Sequence, residues 1–117
     1  MMFLVLTPGC SVLNENKNLE KKLNKLNSEI ISNFSIALSK DPNNFLFYLE
    51  RGRAKHDYGD YVGAIIDFNS SLNLSSDIKT LFYMANSKYA YGDYIGAIKD
   101  YEKLILKKHS HHLGRIQ

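Results

Sequence analysis

The chain has 117 residues, 44% of them hydrophobic, which is enough for one small domain with a thin core. Its net charge of +3 is unevenly spread. Lys/Arg against Asp/Glu is five to four over residues 1–44, six to eight over 45–102 and four to none over 103–117, so the concentrated basic face of a nucleic-acid binder is absent. A single cysteine excludes an internal disulfide framework, and no run approaches the roughly 18 apolar residues of a membrane span.

Residues 1–13 contain MMFLVLTPGC, a short apolar run ending in small residues and the only cysteine. This resembles the end of a bacterial lipoprotein signal, with Cys10 as the lipidated residue and polar residues 14–22 as the tether. It lacks a basic leading segment and is short before the cysteine. The alternative is an unstructured terminus with an incidental cysteine. The first reading implies a membrane-anchored lipoprotein on the outer face of the inner membrane or in the periplasm; the second leaves a cytoplasmic protein, with membrane contact only through lipid on Cys10.

Residues 14–44 open on a polar stretch with Leu19, Leu23 and Leu26 as its stripe, followed by Ile30, Phe34, Ala37, Leu38 and Pro42. The segment reads either as a degenerate repeat unit or as one long capping helix from Asn14 to Lys40.

From residue 45 a repeat organises the chain. KHDYGDYVGAIIDF (55–68) aligns with KYAYGDYIGAIKDY (88–101) at an offset of 33 residues, with nine of fourteen positions identical. A period of this size belongs to stacked supersecondary units. In the first unit (45–77), Asn43 or Asn44 supplies an N-cap for a helix ending near Tyr58. Gly59 then suits a left-handed residue past the helix end, and Asp60 caps a second helix with Ala64, Ile65, Phe68 and Leu72 on one face. The second unit (78–108) repeats this: Asp77 as cap, a helix to Tyr91, the Gly92-Asp93 turn, and a helix with Ala97, Ile98, Tyr101, Leu104 and Ile105 on one side. Gly63 and Gly96, near the starts of the second helices, read as tolerated. Residues 109–117 form a polar, basic tail, HSHHLGRIQ, too short and too polar for a clear capping helix.

These residues resemble the tetratricopeptide repeat, a helix–turn–helix unit of about 34 residues. Tyr48 stands at the family's tryptophan position, and Gly52 and Ala85 at its small first-helix position. Leu81 matches Tyr48 in the second unit, and the alanine–aromatic pairs Ala64/Phe68 and Ala97/Tyr101 mark the second helices. Ser71 and Leu104 stand where the family has a later small residue, and the usual closing proline is missing. The resemblance implies an all-α protein, its helix–turn–helix repeats stacked as a short right-handed α-solenoid. First helices would line a concave groove carrying Leu46, Leu49, Arg53 and His56 from one unit and Lys79, Phe82, Asn86 and Tyr89 from the next. Arg53, Lys79 and Asn86 partly match the carboxylate-binding version of the family.

Nothing in the sequence outlines a catalytic constellation, so no enzyme and no cofactor are expected. His109, His111 and His112 lack cysteine or acidic co-ligands, and no metal site is expected of them. Asp60, Asp67, Asp93 and Asp100 recur with the repeat and read as caps and solvated faces. The function expected is a protein- or peptide-binding adaptor. Its rival is a self-associating structural subunit joined through an uncapped last helix around Ile98, Ile105 and Leu106.

Overall fold

The computed structural model describes the backbone of residues 3–116 and the side chains of residues 14–110. It is all-helical across the described residues: α1 (Phe3–Lys40), α2 (Phe45–Tyr58), α3 (Tyr61–Leu74), α4 (Ile78–Tyr91) and α5 (Tyr94–Ile116). Each helix packs on the next in the chain, as in a repeat array, and α2 and α4 also approach each other directly. Among the described residues no such approach joins α1 to α3 or α3 to α5. The array therefore closes toward the side carrying α2 and α4, and α3 lies on the outer side.

Residues 14–40 form one unbroken stretch of α1, with no break into two helices. At 38 residues α1 is about 57 Å long, against about 21 Å for the 14-residue α2 that packs on it. The last helix also runs further than the composition of the tail led us to expect. The backbone of α5 continues to Ile116, through the segment read as a polar tail. Leu19, Leu23 and Leu26 of α1 are exposed, as are Ile98, Ile105 and Leu106 of α5.

The two hairpins, α2–α3 and α4–α5, are built by the same local chemistry. Each first helix ends in a glycine of positive φ, 99° at Gly59 and 104° at Gly92, a region in which a side chain is strained. The backbone N–H of Gly59 donates to His56 O (3.0 Å) and that of Asp60 to Lys55 O (2.8 Å). Gly92 N donates to Tyr89 O (3.1 Å) and Asp93 N to Lys88 O (2.9 Å). These paired bonds satisfy carbonyls that a helix end would otherwise leave without partners. Asp60 Oδ1 then accepts from Gly63 N, and Asp93 Oδ1 from Gly96 N, both at 2.9 Å. A Cβ on Gly63 or Gly96 would run into the capping carboxylate. Those glycines are thus not merely tolerated, as the sequence had implied; they leave room for the cap. Asn44, not Asn43, caps α2, its Oδ1 accepting from Leu46 N at 3.1 Å, and Asp77 caps α4 in the same way through Lys79 N.

The core lies between α2, α3 and α4. Leu49, Ala64, Phe68, Leu81 and Met84 are buried together, with Ile65, Leu72, Tyr83 and Leu104 packed at their edge. Gly52 is buried where α2 crosses α3, and a Cβ there would stand 2.7 Å from Phe68 Cε1. The small residue is therefore required by the aromatic opposite, and the backbones approach because of it. Ser71 occupies the later small-residue position and is fully buried, its Oγ donating to Phe45 O at 2.9 Å.

Asp67 and Asp100 correct the sequence reading. Neither is solvated: Asp67 is 1% exposed and Asp100 3%. Arg51 donates to both Asp67 oxygens, Nε to Oδ2 at 2.8 Å and Nη2 to Oδ1 at 2.7 Å, and Lys55 Nζ stands 3.1 Å from Oδ2. Lys88 Nζ lies 2.7 Å from Asp100 Oδ2. Lys55 and Lys88 are equivalent repeat positions, as are Asp67 and Asp100. A buried carboxylate is tolerable only when paired, so each hairpin carries an ionic tie between its helices. The hydrogen bonds to Asp67 hold the Arg51 guanidinium above its ordinary pKa, with burial pulling the other way.

Candidate functional site

A trough runs along α4 on the side where α2 and α4 meet. Its larger part, about 730 Å³, is lined by Ile78, Lys79, Phe82, Tyr83 and Asn86 of α4, with Asp77 before it and Leu104 and Lys108 of α5 opposite. A smaller hollow, about 230 Å³, is lined by Arg53, His56 and Asp57 of α2, Phe68 of α3, and Tyr83 and Asn86. Tyr83 and Asn86 belong to both, which makes the two hollows one continuous surface. Helical periodicity explains the alignment: Lys79, Phe82, Tyr83 and Asn86 recur at three- and four-residue spacing, which places them on one side of α4.

The side chains of the smaller hollow are held in place. The Arg53 guanidinium lies 5.0 Å from the centre of the Tyr83 ring and 3.4 Å from Glu50 Oε1. His56 Nδ1 is 2.8 Å from Ser87 Oγ, and the His56 ring meets Tyr61 edge-on at 5.2 Å, so this residue ties α2 to α3 and α4 as well as facing the hollow. Tyr101 OH donates to Asn86 Oδ1, which fixes that amide against α5. Phe82 meets Tyr101 edge-on at 6.3 Å. Around the trough, Arg53, Lys79 and Lys108 face Asp57 and Asp77, with Phe82, Tyr83, Ile78 and Leu104 as its apolar floor. Such a surface grips an apolar side chain while charged groups at the rim orient polar atoms.

Of the eight residues expected in a groove, the structure brings Arg53, His56, Lys79, Phe82 and Asn86 together. Leu49 is a correction: it is buried in the core with Phe68 and Leu81 and faces no groove. The cause is that α2 packs against α3 along this flank. Leu46 and Tyr89 are exposed but line neither hollow, and the Tyr89 ring instead meets Tyr94 edge-on at 5.2 Å. Seven lining residues stand outside that set: Asp57, Phe68, Asp77, Ile78, Tyr83, Leu104 and Lys108. Tyr83 is the pivot of the surface, and Leu104 and Lys108 come from α5. Tyr83 follows directly on Phe82, a neighbour that the choice of one residue per helical turn passes over. Leu104 carried a signal, since it departs from the small residue of the repeat pattern.

Among the described residues no group of three His, Cys, Asp or Glu side chains comes together to hold a metal, and no described helix is long and apolar enough to cross a membrane. The side chains of Cys10, His111 and His112 lie outside the described residues. No protein-family model matches the chain, and no curated protein matches its sequence.

Proposed function

We propose that the chain is a non-catalytic adaptor of the tetratricopeptide-repeat type that binds a protein or peptide along the α4 trough. The observation that carries this reading is the continuity of the surface. Apolar floor and charged rim extend from Arg53 of one hairpin to Lys108 of the next, across Tyr83 and Asn86. A ligand spanning it is an extended or helical segment with at least one large apolar side chain, for the hollow around Phe82, and one carboxylate, for Arg53 or Lys79. The test is a peptide-array screen of the full chain, followed by amide chemical-shift mapping of a binder. Shifts should cluster on Arg53, Lys79, Phe82 and Tyr83. Arg53→Ala and Lys79→Ala should each weaken binding with helix content unchanged, whereas Lys99→Ala on the exposed side of α5 should not. Equal loss from Lys99→Ala would remove the groove reading.

A second reading, a self-associating structural subunit, rests on one observation. Ile98 and Ile105 of α5 are 55% and 65% exposed, although their repeat equivalents Ile65 and Leu72 pack against the core beneath α4. The α5 face thus has the form of a surface that takes another helix.

A further inference from the structure

The N-terminal part of α1 carries an apolar stripe on which no described element packs. Within the described residues only α2 packs on α1, covering the face of Asn27, Phe34 and Leu38. Residues 14–26 continue past it. There Leu19, Leu23 and Leu26 are 62%, 53% and 52% exposed, and half-buried Ile30 extends the line. Their spacing of four, three and four residues is the a/d alternation of a coiled coil, with Leu23 and Ile30 at a and Leu19 and Leu26 at d. At about 100° per residue the middle of this stripe lies about 70° round α1 from the middle of the face that α2 covers, so a further helix fits beside α2 along Leu19, Leu23 and Leu26 and meets the open side of Ile30.

We propose that the stripe pairs with the same stripe of a second copy of this chain, as an antiparallel two-stranded coiled coil over residues 19–30. The flanking charges choose both occupant and direction. In a parallel pair, Glu15 at g would face Glu20 of the partner subunit at e, twice over, and like charges so placed repel. In the antiparallel pair, Leu19 meets Ile30 of the partner subunit and Leu23 meets Leu26 of the partner subunit, giving four apolar layers by symmetry. In that register exposed Lys22 at g faces Glu29 of the partner subunit, also at g, and the symmetry repeats the pair. The next layer at each end sets Asn16 against Asn33 of the partner subunit, which bounds the apolar run with amides able to bond each other. The antiparallel arrangement also sends the two α2–α5 arrays to opposite ends. This surface is independent of the α4 trough and of the α5 face.

Sedimentation equilibrium of the full chain in reducing buffer tests the proposal. The wild type should show a concentration-dependent dimer. Leu23→Glu should raise its dissociation constant roughly a hundredfold, with circular dichroism of the monomer unchanged because Leu23 is exposed. Lys22→Glu and Glu29→Lys should each weaken the dimer roughly tenfold, and the double variant should restore it to within about twofold of wild type. A monomer at every concentration would overturn the proposal. So would a dimer indifferent to Leu23→Glu but lost in Ile105→Asp, which would put the contact on α5. A dimer lost in Leu23→Glu without rescue by the charge exchange would overturn the antiparallel register.

Discussion

The α2–α3 and α4–α5 hairpins share nine of fourteen residues across their turns, the same left-handed glycine, the same aspartate cap and the same lysine–aspartate tie. Their surroundings differ. Phe68 of the first is 1% exposed, wedged against Gly52 and stacked near Tyr83 at 6.0 Å; its equivalent, Tyr101, is half-buried and turns its hydroxyl to Asn86. Asp67 has two cationic partners, because Arg51 joins Lys55. Among the described residues Asp100 has Lys88 alone, because Met84 occupies the position equivalent to Arg51. The first hairpin has a helix on both sides, and the second has a described helix on one. Equal local sequences thus produce equal turns but unequal burial, since burial depends on what stacks next.

Three pairs of substitutions sharpen this comparison. The largest difference is expected at the aromatics. Phe68→Ala removes a fully buried ring and should cost about 3–5 kcal/mol, whereas Tyr101→Ala, half-buried with one side-chain bond, should cost about half as much. Urea unfolding followed by far-UV circular dichroism measures both. Equal losses would show that the two hairpins are equally packed.

The ionic ties come next. Asp67→Ala leaves Arg51 and Lys55 without their shared partner and should cost about 3 kcal/mol. Asp100→Ala strands only Lys88, which can turn toward water, and should cost about 1–2 kcal/mol. If the order reversed, the additional Arg51 bonds would not stabilise the first hairpin. Adding salt should narrow the Asp100 effect more than the Asp67 effect, since the Asp67 tie has two fixed bonds from one planar guanidinium.

The turns should show the smallest effects and no difference between hairpins. Gly59→Ala and Gly92→Ala each place a Cβ at a φ near 100° with nothing within 4 Å, so the cost is conformational alone, about 1 kcal/mol in each. Unequal thermal shifts would mean that one turn is strained by its neighbours.

Much of this arrangement was legible in the chain because it is local. The Gly-Asp turns, the caps at Asp60, Asp77 and Asp93, and the Ala64/Phe68 and Ala97/Tyr101 faces follow from backbone conformation and helical period, which act within a few residues. The repeat also marked which first-helix residues share a side, and five of the eight expected in a groove meet there. What the sequence could not supply depends on neighbours distant along the chain. Asp67 and Asp100 read as solvated because period alone does not say which flank of a helix meets another, and only the crossing of α2 with α3 and of α4 with α5 buries them against Arg51, Lys55 and Lys88. Leu49 entered the core for the same reason, and Tyr83 became the centre of the trough because the approach of α4 to α2 sets its ring beneath Arg53. The residues themselves determined the hairpins; which of their faces is core, trough or open surface was decided by stacking, since burial is a property of pairs of elements and not of one.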